Sequence, residues 1–415
     1  MYRNVGKHKR LSAADVNERE PAVLRAGLEG GATYWDAATD DARLTMMNVI
    51  GAEEAGALVI NHAEVTSLTR TLDKVDGVVV RDRLSDMTVR VRARVVVNAT
   101  GPWTDAMRRL EDPSAPEAVR GTKGVHLLVP RERIGNTSAI TLLHPADQRV
   151  MFALPAGAYA ILGTTDTRTD AGPEQVRASA NDVRYLLDAS NTYFPAAKLV
   201  PSDVITAWAG IRPLIASSPK DAPSDQSRES EVAVGSGGVI GVSGGKLTTN
   251  RSMAEEIVDV VADLLRRKQA KSDTAHAPLP GGDLADVQAE IGVASEVCGD
   301  IGIATHLVHW HGSNWRAVWA LGDATPALRE RVVPTSDAIR AEMVHAVRHE
   351  HAHALADLLV RRTHVAFESR DHGLTAAADV AGLIAPELGW TAAQREAAVA
   401  TYEAEARRLF AVDPA

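Results

Sequence analysis

Apolar and polar positions along this chain change their period several times. Residues 1–35 are polar and rich in turn formers. From Asp41 the apolar positions Leu44, Met47, Ile50 and Ala55 recur at helical spacing and predict a helix. Ala57-Leu58-Val59-Ile60, just after Gly56, is a short apolar run and reads as a strand. Strands are also predicted at Gly77 to Asp82 and at Thr88 to Arg94, with the turn at Leu84 to Met87; the second alternates apolar and polar residues. Val95-Val96-Val97 is wholly apolar and suits the middle of a parallel sheet covered on both faces. Val125 to Val129, Val150 to Leu154 and Tyr159 to Gly163 are further β-rich runs separated by Pro or Gly. Asn181 to Ser190 reads as helix, Val204 to Gly210 as strand and Pro219 to Ser230 as loop. Glu231 to Val234 and Val239 to Ser243 form a hairpin around Gly235-Ser236-Gly237-Gly238. Beyond Thr248, Met253, Ile257, Val261 and Leu264 line one helical face, with Arg266, Arg267 and Lys268 at its C-terminal end.

Past Lys268 the pattern becomes helical almost throughout, after a linker at residues 271–286 that holds Pro278-Leu279-Pro280-Gly281-Gly282. Thr391-Ala392-Ala393-Gln394 is a capping box opening the last helix. The chain is therefore α/β followed by all-α. A length of 415 residues predicts two or three domains. The net charge of −9 argues against nucleic acid as a partner. Arg3, Lys7, Lys9 and Arg10 form a local basic cluster, read either as a solvated tail or as a contact for phosphate or an anionic membrane. A single cysteine, Cys298, excludes an internal disulfide and fits a reducing compartment. No apolar run is long enough to span a bilayer, and no apolar stretch follows the N-terminal basic residues as a secretory signal requires, so a cytoplasmic location is expected.

Two stretches carry chemistry. Asn98-Ala99-Thr100-Gly101, followed by Pro102-Trp103, ends a strand in small residues, where ligands bind open α/β sheets. Gly244-Gly245-Lys246-Leu247-Thr248-Thr249 gives close backbone approach, a cation and then a helix N-terminus, which together make an anion site; a plain Gly-Gly turn with a cap is the alternative. Arg212 and Arg228 flank a loop and either clamp a phosphate or are surface charge. His126 lies between apolar residues on a strand, where a histidine is usually a core residue. His349-Glu350-His351-Ala352-His353 fits the H-E-x-x-H zinc pattern. A helical projection puts Ile339, Met343, Val347, Leu355 and Leu358 on the apolar side and His345, His349 and His353 on the wet side, so no metal site is expected.

Taken in order, Asp40-Asp41-Ala42-Arg43-Leu44, Val97-Asn98-Ala99-Thr100-Gly101-Pro102-Trp103, Lys123-Gly124-Val125-His126, Leu162-Gly163-Thr164-Thr165-Asp166, Gly210-Ile211-Arg212-Pro213-Leu214, Gly244 to Thr249, Leu279-Pro280-Gly281-Gly282 and Arg361-Arg362-Thr363 resemble the FAD-dependent, quinone-linked glycerol-3-phosphate dehydrogenases. The resemblance implies a glutathione-reductase-like flavin domain, a mixed-sheet substrate domain and a C-terminal helical domain. The corresponding boundaries are 1–122 and 231–270 for the flavin-binding parts, 123–230 for the substrate domain and 271–415 for the helices. It implies FAD as cofactor, sn-glycerol 3-phosphate as substrate, a quinone as acceptor, peripheral attachment to a membrane surface and a homo-oligomer as an option. It assigns phosphate binding to Arg212 and Arg228, proton transfer to His126 and a substrate contact to Thr165. Ala99, Thr100, Gly101, Trp103, Gly244, Gly245, Lys246, Leu247, Thr248 and Thr249 would face the flavin.

The chain lacks the family's opening G-x-G-x-x-G turn, its ribose-binding acidic residue and a later Gly-Gly-Leu-Arg-Tyr-like segment. On that ground one mononucleotide-binding βαβ half is expected to be missing, Val95 to Val97 to form an exposed apolar edge, and FAD to bind weakly. A non-catalytic remnant, or a related flavin oxidase acting on an amine or amino acid, are the alternative readings.

Overall fold

A computed structural model describes residues 6–215 and 229–414. The chain opens with a small hairpin-like pair, β1 (Lys9–Ser12) and β2 (Gly30–Thr33), around helix α1 (Ala13–Arg19). Helix α2 (Asp41–Glu54) follows, its first turn capped by the Asp40 carboxylate, which accepts from the Arg43 N–H. Ala57 to Ile60 is not a strand: it pairs with nothing among the described residues, and Leu58 is 87% exposed. The neighbouring strand is instead β3 (Ala63–Thr71), which the sequence hides behind Thr, Ser and Glu. It pairs with β4 (Lys74–Asp82), and β4 pairs with β5 (Thr88–Arg92), all antiparallel.

Strand β6 (Val97–Asn98) runs from this excursion into helix α3 (Thr104–Glu111). Next comes β7 (Val119–Pro130), the longest strand and the centre of a second sheet. The short helix α4 (Arg131–Ile134) leads to β8 (Ile140–Leu143), β9 (Val150–Ala156), β10 (Tyr159–Gly163) and β11 (Thr167–Arg168). Helix α5 (Ala180–Tyr193) and β12 (Thr206–Ile215) complete this layer. The order is β11-β7-β10-β9-β8, with β12 also on β7. Its pairings are all antiparallel among the described residues, where a mixed sheet is implied by resemblance.

Alternation along β7 decides what packs where. Val125, Leu127 and Val129 face α5 and form one core with Val183, Leu186 and Leu187. Lys123, on that same face, is tied to Asp182 of α5 at 2.6 Å. Gly124, His126 and Leu128 therefore point to the opposite face.

Strands β13 (Ser230–Val234) and β14 (Ile240–Gly244) form the expected hairpin, and β14 lies parallel to β6. The order β13-β14-β6 leaves β6 at an edge among the described residues, with Val97 40% exposed. That corrects the reading of Val95 to Val97 as the middle of a covered sheet. Helix α6 (Asn250–Leu264) follows β14 and buries no residue.

The remainder is helical: α7 (Val287–Cys298), α8 (Ile301–His311), α9 (Trp315–Ala320), α10 (Arg340–His349), α11 (Val365–Glu368), α12 (Leu374–Leu388) and α13 (Ala392–Phe410). Thr391 and Gln394 make the predicted capping box on α13. Two apolar clusters hold these helices, one around Met343, Leu358, Val380 and Phe410, the other around Leu307, Trp315 and Ile339. The first cluster also takes in Trp208 of β12, so the helical layer covers the Trp208 end of the second face of the large sheet.

Candidate active site

The free face of β7 and β12 is organised by register. Trp208 opposes His126, Gly210 opposes Gly124, and Arg212 opposes Thr122. Two glycines thus form a floor between an imidazole and a guanidinium. The Arg212 guanidinium lies over that floor: a methyl group at Gly124 would fall 2.5 Å from Nη2. Above Gly210 there is open space. Arg212 Nη2 donates to Thr164 Oγ1 at 2.8 Å and Nη1 to the Thr165 carbonyl at 3.2 Å, with Asp166 Oδ1 3.4 Å away. The turn after β10 therefore fixes the guanidinium plane.

Thr165 is only 4% exposed, and its hydroxyl accepts from the Val125 N–H at 3.0 Å. It anchors the loop that holds Arg212. Arg228 lies outside the described residues. His126 is half-buried, and burial, with Arg212 adding to it, pushes its imidazole down to about 4. It is neutral at pH 7. Its ring enters a notch at Gly163, where a methyl group would fall 2.1 Å from Cδ2. Gly124, Gly163, Thr164, Asp166 and Trp208 were assigned no role from sequence. Only strand register reveals what the two glycines make room for.

The second part of the site is a ledge. Because β14 and β6 are parallel, the turns after them, Gly244 to Thr249 and Ala99 to Trp103, leave the same ends of neighbouring strands. Asn98 braces the second turn, its Oδ1 accepting from Thr100 Oγ1 at 2.7 Å and its Nδ2 donating to the Thr104 carbonyl at 3.0 Å. Trp103 is exposed and donates through Nε1 to Glu174 at 3.1 Å. Gly244 and Gly245 have φ of +69° and +87°, which only glycine adopts without strain. Lys246, Leu247, Thr248 and Thr249 are exposed. A cavity of about 390 Å³ opens beside them, lined by Glu229, Ser230, Lys246, Thr249, Ser252, Met253 and Glu256.

The two parts adjoin. Ile215, at the end of β12, packs where a Gly244 side chain would be, 2.6 Å from that position. Arg212 lies three residues back along the same strand, roughly 10 Å away, with its side chain on the other face of the sheet.

The histidine motif resolves differently from its sequence reading. Helix α10 stops at His349, so a single helical projection does not apply to residues 350–354. His345 is not on a wet face: its side chain is 14% exposed and lies 3.5 Å from the buried Glu350. His311, His345 and Glu350 do cluster at metal-ligand spacing. A guanidinium is already seated there, however: Arg43 Nη1 is 2.6 Å from Glu350 Oε1 and Nη2 is 3.1 Å from His311 Nδ1.

Residues 2–251 match the FAD dependent oxidoreductase model, and residues 272–395 match the C-terminal domain of alpha-glycerophosphate oxidase. The class is thus that of FAD-dependent oxidoreductases. The aerobic glycerol-3-phosphate dehydrogenase of Staphylococcus saprophyticus is 35% identical over 93% of this chain and 71% of its own length. Glycerol-3-phosphate dehydrogenase 2 of Mycobacterium tuberculosis is 35% identical over 99% of this chain and 70% of its own. The crystal structure of a Bacillus halodurans glycerol-3-phosphate dehydrogenase complexed with FAD superposes with a TM-score of 0.84 at 30% identity, covering 96% of this chain and 79% of that one. The chain belongs to the FAD-dependent glycerol-3-phosphate dehydrogenase family. Among the described residues no helix is long and apolar enough to cross a membrane.

Proposed function

We propose that this site oxidises sn-glycerol 3-phosphate to dihydroxyacetone phosphate and that the electrons pass on to a quinone at a membrane surface. The observation that supports it best is the pairing of a neutral imidazole with a fixed guanidinium across a two-glycine floor. In register His126 and Arg212 are four strand positions apart, but the guanidinium reaches back over Gly124, two positions from His126 and roughly 7 Å along the sheet, which suits a three-carbon phosphate ester.

FAD, when bound, supplies the two-electron acceptor for the hydride that leaves C2. The residues present fit its isoalloxazine end. Gly244 and Gly245 let the turn close against Glu229, Ile215 and Met253, where side chains would collide, and Lys246 offers a cation beside the cavity. Ala99, Thr100, Gly101 and Trp103 supply the adjoining turn, and Leu247, Thr248 and Thr249 the approach to α6. A positive charge and a helix N-terminus there favour negative charge developing on the acceptor.

Arg212 grips the phosphate, with Arg228 as the second guanidinium carried over by resemblance. His126 takes the C2 hydroxyl proton as the hydride departs. A dianionic phosphate against Arg212 also relieves part of what depresses His126. Substrate binding therefore raises the basicity of the group that must accept the proton.

The test is reduction of an artificial dye by sn-glycerol 3-phosphate with FAD added in excess. Replacing His126 by Gln is expected to lower kcat by about 100-fold or more. Turnover of glycine or a secondary amine, with none of glycerol 3-phosphate, would overturn the reading in favour of an amine oxidase.

A further inference from the structure

Among the described residues His126 has none of the hydrogen-bond partners that usually aim a catalytic histidine. Among the described residues no hydrogen bond reaches either ring nitrogen, so no carboxylate or carbonyl fixes its tautomer or plane. What touches it is packing. On one side is the notch at Gly163, its register partner on β10. On the other is Trp208, its register partner on β12, with ring centroids 5.4 Å apart and planes tilted by 21°.

Trp208 is itself held from behind. Phe367 of α11 meets it edge-on at 5.2 Å, and Phe367 rests in turn on Phe410 of α13 at 5.2 Å. Thr206, two residues before Trp208, donates to the Phe367 carbonyl at 2.7 Å. The indole is thus pressed onto the imidazole by the helical layer.

We infer that Trp208 is a positioning residue for the reaction proposed above: wedged between Phe367 and His126, it sets the plane of the imidazole and keeps water off that face. The helical layer thereby reaches the proton-transfer site through one aromatic contact. The stacked π-face also suits the imidazolium that forms when the C2 proton arrives. This inference rests on His126 being the base, yet its structural half can be read without substrate or cofactor.

The experiment is a histidine NMR titration of the full chain, with the His126 signal assigned by its loss in His126→Gln. The charged group facing His126 is Arg212 on β12, backed by Asp166 after β10, and neither is altered. In the parent protein His126 is expected to titrate well below free imidazole. Trp208→Leu is expected to move that midpoint up by about one pH unit or more as water enters, and to lower kcat roughly tenfold to a hundredfold with KM changed less than about threefold. Trp208→Phe keeps a stacking face and is expected to stay within about threefold of the parent. Phe367→Leu, which leaves Trp208 in place but unbacked, is expected to shift the His126 midpoint in the same direction and serves if Trp208→Leu does not fold. An unmoved His126 midpoint in both leucine variants would overturn the inference, as would a Trp208→Phe variant as impaired as Trp208→Leu. If the midpoint moves while no variant or parent oxidises glycerol 3-phosphate, the positioning stands and the proposed substrate falls.

Discussion

At the scale of single residues, the site depends on keeping one titratable group neutral beside a fixed cation. His126 is pushed down to about 4 by burial first and Arg212 second. The acid limb of kcat/KM, which reports the free protein, is therefore expected near pH 4, well below free imidazole. The limb of kcat, which reports the complex, is expected at higher pH, because bound phosphate offsets Arg212. Steady-state rates from pH 4 to 8 check this, and coincident limbs near 6.5 would count against it. The same depression has a stability consequence of fixed sign. The unfolded chain binds a proton on this residue below about 6.5 that the folded chain refuses until about 4, so stability falls as pH drops through that window. Arg212 has its own test. Arg212→Lys keeps the charge but loses the fork shared between Thr164 and the Thr165 carbonyl. It is expected to raise KM for glycerol 3-phosphate by about tenfold or more, a loss of roughly 1.4 kcal/mol in binding.

At the scale of elements, the interest lies in how α2 is joined to the helical layer. Arg43 leaves α2 and enters a pocket between α8 and the end of α10. There Nε donates to the Trp310 carbonyl at 2.7 Å and Nη1 pairs with Glu350. Asp40, which caps α2, also accepts from His364 at 2.7 Å. Burial favours a neutral Glu350, but His345 and Arg43 win and hold its carboxyl down to about 2. Glu350 therefore adds stability that is complete above its ordinary 4.5 and is lost as pH falls toward 2. Arg43→Leu strands a buried carboxylate and is expected to cost about 3–5 kcal/mol, measured by urea unfolding at pH 7. A cost under about 1 kcal/mol would mean that α2 is held some other way. Val125 to Val129 of β7 and Asn181 to Ser190 of α5 were legible from their apolar positions, and the start of α13 from its capping box. Ala57 to Ile60 was not, because four apolar residues fit any buried segment and periodicity cannot assign them a partner. The histidine motif misled for a related reason: the projection assumed that α10 continued past His349. The candidate site was legible as residue types, since His126, Arg212 and Lys246 stand out against their neighbours. Its geometry was not, because Gly163 makes the space for the imidazole and Gly124 that for the guanidinium, with Gly210 open beside them, and an absent side chain has no pattern until strands are in register.

At the scale of the whole molecule, the two halves of the site are unequally supported. The imidazole and guanidinium sit on a sheet backed by α5 on one face and braced at Trp208 by the helical layer on the other. The ledge sits on β13-β14-β6, where Val97 is exposed at the edge, and beside α6, where Val258 is 62% exposed. A dinucleotide is ordinarily gripped hardest at its pyrophosphate, by a glycine-rich turn and a helix N-terminus. The 415-residue sequence contains no G-x-G-x-x-G, and it spans about 70% of the length of its curated relatives. Among the described residues the contacts proposed for FAD lie at its isoalloxazine end, and an affinity set by these contacts is expected to be low, with Kd on the order of 100 µM. At 100 µM added FAD such a site gains only RT ln 2, about 0.4 kcal/mol, and the first thermal transition should rise by about 1 °C. The purified chain should accordingly be colourless, and activity should saturate only as FAD is raised. Flavin absorption bands that survive gel filtration would show a grip that Lys246, Thr248, Thr249 and the Ala99 to Trp103 turn cannot supply by themselves, and would overturn the low affinity.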